Sequence, residues 1–219
     1  MVYILIVKST EIKYPVHMFV PTPCAHEGCP GFAVSGYDRC FSHLTADEQE
    51  AFASRIREML TRQERITDLS LSGMDLSGLP LSGKRLYACN LSGCRLSNTR
   101  VEKLLLRLCF LDGSVFEGVT FTGLDTNFCS FAGSRVVGCT VEESDVLTSN
   151  FNGSIFEESE FKSCDLYHSR FMLSSLRKVR FYDCNLKRTY FIGALLEEVT
   201  FPYSNDEDAY FAPKEETPL

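Results

Sequence analysis

Residues 151–170 read FNGSI FEESE FKSCD LYHSR, and each group of five begins with a bulky apolar side chain. The same phase holds in both directions along the chain, from Ile66 to Phe201. Of these 28 positions, 27 are apolar and only Thr126 is not. Because 44% of all residues are apolar, chance does not produce such a run. The chain therefore contains an internal repeat of five residues.

A second series, of small side chains, lies two residues before each of these positions. From Cys89 to Val199 it holds Ala, Cys, Ser, Thr or Val at 21 of 23 positions, with Leu104 and Leu124 as the exceptions. A period of five matches neither the 3.6 residues of a helix nor the 2.0 of a strand. A chain with this period has to turn regularly, with one large and one small side chain of each unit pointing inward. The pattern predicts a solenoid.

These units resemble those of the pentapeptide-repeat family, in which Ala-Asp/Asn-Leu/Phe is followed by two variable residues. The resemblance is carried by CNLSG at 89–93, CDL at 164–166 and CNL at 184–186, within a match that runs from Ile66 to about Ser204. It implies an all-β solenoid, a right-handed quadrilateral parallel β-helix with four units per coil and about seven coils. We expect a core of stacked Leu and Phe without a cavity. The predicted segments are an N-terminal cap (1–65), the β-helix (66–204) and an acidic tail (205–219).

Two irregularities interrupt the repeat. Large residues occupy the small position throughout the first coil, which predicts a wider or distorted coil there; they are Leu69, Met74, Leu79 and Lys84. The Lys84 ammonium should lie near the N-terminal end of the rod, where it reaches solvent. Phe128, two residues after Thr126, could replace the missing bulk if the chain bulges locally.

The repeat accounts for most residues that could otherwise suggest chemistry. Seven of the ten cysteines fall on the small series, where a buried thiol packs as a small hydrophobe; they are Cys89, Cys94, Cys109, Cys129, Cys139, Cys164 and Cys184. Four serines also fall there, namely Ser144, Ser149, Ser154 and Ser159, and we expect their hydroxyls to bond the backbone. No phosphate-binding glycine loop or nucleophile motif is evident. The sequence therefore predicts no enzymatic activity.

The other three cysteines lie before the repeat and suggest a metal site. Cys24, Cys29, Cys40 and His43 are separated by four, ten and two residues, in turns rich in Gly and Pro. Three thiolates and an imidazole suit Zn²⁺, and a closed set of four ligands is typical of a structural site. The alternative is a packed loop of reduced cysteines, and His26 is an alternative ligand.

A helix is predicted from Thr45 to about Gln63. Thr45 and Glu48 form a capping box, and one face carries the apolar residues Phe52, Ile56, Met59 and Leu60. This helix and the zinc knuckle would seal the open end of the first coil. A recognition module for nucleic acid or protein is the alternative for this segment. Met1–Val7 is predicted to form an extra strand, and the isolated His17 suggests no catalysis.

Overall charge and composition restrict the partners. A net charge of −7 argues against direct binding of nucleic acid, which needs an excess of clustered Lys and Arg. The apolar start of the chain lacks a basic n-region and a cleavage site, so we expect reduced thiols and a cytoplasmic protein outside membranes.

Acidic residues concentrate in the middle of the repeat, where residues 112–160 hold nine acidic and one basic side chain. With four units per coil, like charges stack along the rod, and we take six of them as a candidate interaction surface: Glu117, Asp125, Asp145, Glu157, Glu158 and Asp165. The alternative is a purely structural interpretation, in which the aspartates accept hydrogen bonds from backbone amides at the corners and the glutamates are solvated.

The sequence thus predicts a non-enzymatic scaffold that binds a macromolecular partner, a protein, through the rod surface. A sharper alternative follows from the resemblance: family members that protect DNA gyrase or topoisomerase IV from quinolones or peptide toxins are understood to imitate DNA. The partner would then be a type II topoisomerase. The stretch Pro202–Leu219 differs from the apolar C-terminal helix that pairs two rods in those proteins, which leaves the oligomeric state open.

Overall fold

The structure, a computed structural model, describes residues 21–211 of the 219-residue chain. The predicted strand at Met1–Val7, His17 and residues 212–219 of the tail lie outside this range. Within it, a 3₁₀ turn at Phe41–His43 precedes helix α1 (Ala46–Arg62). No helix in residues 21–211 has both the length and the apolar character needed to cross a bilayer.

Sixteen strands of three residues follow α1 in the described range. They are β1 (Arg65–Thr67), β2 (Arg85–Tyr87), β3 (Arg95–Ser97), β4 (Arg100–Glu102), β5 (Leu105–Arg107), β6 (Val115–Glu117), β7 (Thr120–Thr122), β8 (Asp125–Asn127), β9 (Arg135–Val137), β10 (Thr140–Glu142), β11 (Asp145–Leu147), β12 (Ile155–Glu157), β13 (Glu160–Lys162), β14 (Ser175–Arg177), β15 (Arg180–Tyr182) and β16 (Leu195–Glu197).

These strands form the walls of a parallel β-solenoid. Face 1 is the sheet β1-β2-β5-β8-β11, face 3 is β3-β6-β9-β12-β14-β16, and face 4 is β4-β7-β10-β13-β15. Face 2 is a row of single parallel bridges that runs from Ser70 to Tyr210. Partners lie 20 residues apart, as in Ile66 with Leu86, so four units of five make one coil. The predicted solenoid of about seven turns is confirmed.

The register stays regular at the second predicted irregularity, Thr126. Thr126 pairs with Leu106 and Val146 in the normal alignment, and it is fully buried with its hydroxyl 2.9 Å from that of Ser149. The hypothesis that Phe128 replaces the missing bulk is wrong, because its side chain points into solvent. The buried hydroxyl pair, rather than a bulge, accommodates the polar residue.

Stacked phenylalanine rings fill the C-terminal half of the core. On face 2 the rings follow one another at centroid distances of 4.8 to 5.2 Å, in the order Phe131, Phe151, Phe171, Phe191 and Phe211. On face 4, Phe161, Phe181 and Phe201 stack in the same way at 5.1 and 5.3 Å. The spacing follows from the strand separation of about 4.8 Å.

The core nevertheless contains a cavity, which corrects the expectation of a completely filled interior. Its volume is about 70 Å³, and its walls are apolar side chains from Leu76 to Phe161. Three consecutive central positions near its C-terminal end hold valine instead of Leu or Phe, at Val136, Val141 and Val146. The backbone ladders fix the width of the coil, so the smaller side chains leave space that the walls do not close.

The serines of the small series donate to backbone carbonyls, as the sequence predicts. Ser114, Ser134 and Ser154 each donate to a carbonyl oxygen 23 residues earlier, at 2.8 to 2.9 Å. Ser144, Ser149 and Ser159 instead donate to the carbonyl two residues earlier, at 2.7 to 3.1 Å. The ladder cysteines are buried free thiols, and burial raises the pKa of Cys94 to about 12, which keeps it protonated.

Helix α1 covers the first coil. Thr45 and Glu48 form the predicted capping box, and the buried residues of the helix are Phe52, Ile56 and Leu60. These three belong to the same apolar cluster as the rod interior, which they seal at its N-terminal end. Lys84 reaches the edge of the rod, as expected, and donates to the carbonyl of Gln63 at 3.1 Å.

Candidate metal centre

Two residues of the Cys3His group, Cys24 and Cys29, lie on a short hairpin beside the first coil, and the other two, Cys40 and His43, lie at the 3₁₀ turn. Pro23 and Phe32 form an antiparallel bridge, and the N–H of Cys24 donates to the carbonyl of Gly31 at 2.9 Å. Between them the chain reverses at Gly28, which has φ +75 and brings the N–H of Cys29 to within 3.1 Å of the carbonyl of His26. Tight turns of this kind place the two sulfurs near each other.

The four ligand atoms lie close enough together to share one metal ion. Those of Cys24, Cys29, Cys40 and His43 are all within 4.8 Å of one another. The sulfurs of Cys29 and Cys40 are 3.8 Å apart, and the Nδ1 atom of His43 is 3.5 Å from Cys24 Sγ and 3.2 Å from Cys40 Sγ. Zinc bonds of about 2.3 Å to sulfur and about 2.0 Å to nitrogen, at tetrahedral angles, require separations of about 3.8 and 3.5 Å. The residues present therefore fit the ion.

Backbone N–H groups point at two of the sulfurs, and each such bond favours a thiolate. For Cys29 the bond from Gly31 N is outweighed by burial and by the neighbouring sulfurs of Cys40 and Cys24, which raise its pKa. Cys40 N donates to Cys24 Sγ and Gly31 N donates to Cys29 Sγ, both at 3.3 Å. Burial opposes ionisation of Cys24, but the bonds from the backbone and from His43 lower its pKa to about 6. A side chain at Gly31 would touch Cys29 Sγ at 3.4 Å, so glycine leaves room for the sulfurs to converge. Such outer bonds orient metal ligands.

The two histidines have different positions at this site. His43 turns Nδ1 toward the sulfurs, whereas the ring of His26 stacks flat on that of His43 at 3.8 Å. The Nδ1 atom of His26 lies 3.1 Å from the carbonyl of Glu27. The geometry therefore favours His43 over His26 as the fourth ligand.

Hydrogen bonds attach the hairpin to the rod and to α1. Ser35 and Ser70 bond each other through N–H, carbonyl and hydroxyl groups at 2.9 and 3.0 Å, and Ser70 Oγ also donates to the carbonyl of Ala33 at 2.7 Å. Arg39 donates to the carbonyl of His43 at 3.1 Å and to Glu48 at 2.9 Å. An ion held here would therefore fix the segment that covers the first coil.

The structure places four of the six residues of the predicted acidic surface in ion pairs, namely Glu117, Asp125, Glu157 and Glu158. Arg95 approaches Glu117 at 2.9 Å, Arg107 approaches Asp125 at 2.6 Å, and Lys178 approaches Glu158 at 3.3 Å. The cations come from the basic coils on either side of the acidic band. The pairs reduce the negative potential of the band, which was expected to present free charge.

Glu157 shows the same neutralisation most clearly, because two guanidinium groups flank it. Arg177 lies 3.2 Å away and Arg135 2.6 Å away. The hydrogen bond from Arg177, with the charge of Arg135, lowers the pKa of Glu157. Asp165 accepts hydrogen bonds from Tyr167 N and Asn185 Nδ2, as the structural interpretation of an aspartate at a corner predicts. Asp145 stacks between Asp125 and Asp165.

Sequence reasoning missed the apolar side chains at the corners of the rod. The residue two after each central position turns the corner with a positive φ, and most of these are glycine or polar. Leu108, Phe128 and Leu173 occupy such corners and are exposed. The signal was present in the repeat register, because a bulky apolar residue at this position can point only outward.

Comparisons with known proteins show where the repeat is recognised. Residues 139–211 match the family model described as pentapeptide repeat region. No curated protein matches this chain.

Several solved structures are similar to the rod. A trypsin-treated variant of QnrB1, a plasmid-mediated fluoroquinolone resistance protein, is 17% identical over 68% of this chain and 81% of its own, with a TM-score of 0.47. Rfr23 from the cyanobacterium Cyanothece is 11% identical over 72% of this chain and 98% of its own, with a TM-score of 0.31. HetL from the cyanobacterium Nostoc is 14% identical over 81% of this chain and 100% of its own, with a TM-score of 0.24.

Proposed function

Because the chain carries a pentapeptide-repeat region over residues 139–211, we propose that it is a non-enzymatic scaffold that binds a protein partner through the rod surface. A structural zinc ion in the N-terminal hairpin would hold the cap in place. The observation that supports partner binding most strongly is the exposed Leu173, at a corner where every other described coil has glycine.

The corner between faces 2 and 3 is built for glycine. Its column of positions contains Gly73, Gly93, Gly113, Gly133, Gly153 and Gly193, all with positive φ. The remaining member, Leu173, has φ +56 and is 75% exposed. The left-handed region costs a non-glycine residue about 1–2 kcal/mol. Exposed leucine recovers little of this by packing, so its presence is better explained by contact with a partner.

Leu173 lies at the corner that leads into face 3, where Ile155 and Leu195 occupy outward positions on either side of Ser175; we call Leu173, Ile155 and Leu195 the C-terminal patch. All three side chains are exposed. Leu173 leans over Gly193, because its Cδ2 lies 2.9 Å from the point where a Cβ would stand on that glycine. Contiguous exposed apolar patches mark interaction sites.

The charge near the patch indicates the chemistry of the partner. Arg170 is exposed on face 2 in the same unit as Leu173, within the coils 161–201, which hold seven basic and four acidic side chains. We therefore expect a protein whose contact surface is apolar at its centre and acidic at its rim.

The proposed zinc ion would be held by Cys24, Cys29, Cys40 and His43. When bound, it supplies a cross-link between the hairpin and the 3₁₀ turn, and a set of four protein ligands leaves no position for a reacting water. Its effect would be on folding of the cap. The rod then begins from a fixed N-terminal end.

Replacing Leu173 by glycine should separate partner binding from stability. We expect Leu173→Gly to raise the free energy of unfolding by about 1 kcal/mol, because strain at the corner is relieved. Quantitative mass spectrometry of proteins retained from host lysate should show one acidic-surfaced partner with wild type that is lost with the variant. Titration of that purified partner should confirm the loss.

Tyr203→Gly is the matched control, since Tyr203 is an exposed corner residue with φ +60 outside the C-terminal patch. This variant should be stabilised by less than Leu173→Gly, because it also loses the edge-to-face contact of the Tyr203 ring with Tyr182 at 5.4 Å, and it should still bind the partner. Loss of stability in Leu173→Gly would show that the leucine packs within the rod, and equal retention of the partner by both variants would contradict the proposal. Self-association of wild type alone, measured by light scattering, would make a second copy the occupant.

DNA mimicry remains the second candidate, and the stacked Asp125, Asp145 and Asp165 favour it. The ion pairs at Glu117, Asp125, Glu157 and Glu158 weigh against it, because they leave less free negative charge. A supercoiling assay with DNA gyrase tests it. Supercoiling unchanged at micromolar protein would exclude it, whereas an effect that disappears on charge reversal of the three aspartates would support it.

A further inference from the structure

The fourth coil of the rod, residues 126–145, has smaller central side chains than the coils on either side of it. Three of its four central residues are β-branched, at Thr126, Val136 and Val141, and only Phe131 is aromatic. The backbone ladders hold every coil to the same width, so small central side chains leave space at the axis. The core cavity of about 70 Å³ has Phe131, Val136 and Val141 in its wall.

Phenylalanine rings flank each of the two valines without closing the gap between them. On face 3, Val136 pairs with Phe116 in the coil before it and with Phe156 in the coil after it. The backbone positions of those two rings are two strand spacings, or about 10 Å, apart. Rings one coil apart on face 2, by contrast, stack at 4.8 to 5.2 Å. Val141 interrupts the rings of face 4 in the same way, so space is left at two adjoining walls of one coil.

The wall of the cavity has nothing that would hold water. Among the described residues that line it, the surface turned toward the cavity is entirely apolar. The polar central side chain of the fourth coil, Thr126, has its hydroxyl 2.9 Å from that of Ser149 and is therefore already paired. A buried water needs about two to four polar partners, and apolar cavities in proteins stay dry. The occupant that suits this space is therefore an apolar molecule.

The size of the cavity limits what it can hold. Helix α1 covers the first coil at one end, and the buried rings of Phe171, Phe181 and Phe191 fill the coils beyond the other end. An engineered cavity of roughly 150 Å³, lined by Leu, Ile and Phe, binds benzene or xenon. The volume here is about half of that. The cavity therefore suits apolar molecules that are smaller than benzene.

We propose that the cavity at the fourth coil is a binding site for a small apolar gas molecule, of the size of dioxygen or xenon. The molecule contacts the methyl groups of Val136, Val141 and Val146, which line the cavity. Dispersion supplies the affinity, because atoms that line a void lack neighbours on one side. The site is separate from the rod surface and from the metal hairpin, so it goes beyond the proposed function and is tested independently of it.

Xenon is the probe for this site, in methyl NMR spectra of the full chain with labelled Leu and Val. We expect the methyl signals of Val136, Val141 and Val146 to shift with xenon pressure and to reach saturation. Val115 and Val137 point outward from the same face, so their signals should shift little and without saturation. No saturable shift at the three lining valines, or an equal one at Val137, would overturn the proposal. Magnetisation transfer from water to the lining methyl groups would also overturn it, because water would then fill the space.

A variant with a filled cavity makes the result specific. Val136→Leu and Val141→Leu together introduce leucine, which already occupies central positions of other coils, such as Leu106. We expect the saturable xenon shift at Val146 to be lost. Val137→Leu adds the same methylene group on the outer side of the same strand and should keep the shift. An undiminished shift at Val146 in the filled variant would contradict binding in the cavity, and the wild-type spectra decide the proposal if that variant does not fold.

Discussion

Phe171→Ala is expected to lower the free energy of unfolding by about 3–5 kcal/mol. The ring is completely buried and stacks between Phe151 at 4.8 Å and Phe191 at 5.2 Å. It also meets Phe181 edge to face at 5.9 Å. The backbone ladders on either side hold the coil open, so the walls cannot close the space that the ring leaves. Denaturation in urea, followed by circular dichroism, measures the loss.

The adjacent Met172→Ala is the matched control, because Met172 belongs to the same unit but points outward and is only half-buried. Its cost should stay below about 1 kcal/mol. A similar small cost for Phe171→Ala would mean that the ring does not lie in a stack, and the packing of the core would have to be reconsidered.

Cys40→Ser is expected to abolish zinc binding and to unfold the hairpin between Cys24 and His43. Structural zinc contributes about 10–16 kcal/mol of apparent binding free energy in small modules. Without the ion, the segment keeps its hydrogen bonds to Ser70 and Glu48 and the buried Ala33, Val34 and Leu44, which is a small set of contacts for its length. Hydrogen exchange should therefore become fast at residues 24–44 in the variant and remain slow in the coils.

Cys164→Ser provides the control, since it removes a thiol from the small series, where serine already occupies equivalent positions such as Ser144 and Ser154. It should keep the metal and the slow exchange of the hairpin. If the two variants exchange alike and bind equal metal, the hairpin does not depend on an ion.

The sequence could predict the coil because the period of five determines it locally. Each unit turns at its own corner, so the phase of Ile66 carries through to Phe201 and the pairing distance of 20 residues follows. Helix α1 was equally accessible, because Thr45 and Glu48 cap it by a contact within four residues. Features that are determined by contacts within one unit can therefore be predicted from the sequence.

Contacts between side chains at different positions of the repeat could not be predicted in this way. The 20-residue coil predicts that like charges lie above one another along the rod. In the structure, Arg95 instead contacts Glu117, 22 residues later, and Arg107 contacts Asp125, 18 residues later. Long side chains cross between columns that the period treats as separate. The cavity was not predicted for a related reason. The period shows that Val141 is apolar, but it does not show that this side chain is too small to fill the core.

At the metal site, spacing identified the thiols but left the histidine open. His26 and His43 are both near cysteines in sequence, and only the 3₁₀ turn at Phe41–His43 decides which Nδ1 atom faces the sulfurs. His26 is not turned toward the sulfurs; its ring stacks on the ring of His43.

The metal content of the wild-type protein tests the account most directly. Native mass spectrometry of protein purified without added zinc or chelator should show a mass increase of one zinc ion per chain, which disappears in Cys40→Ser and persists in Cys164→Ser. A wild-type mass equal to that of the bare polypeptide, with reduced cysteines and no gain on titration with zinc, would contradict the zinc-held cap.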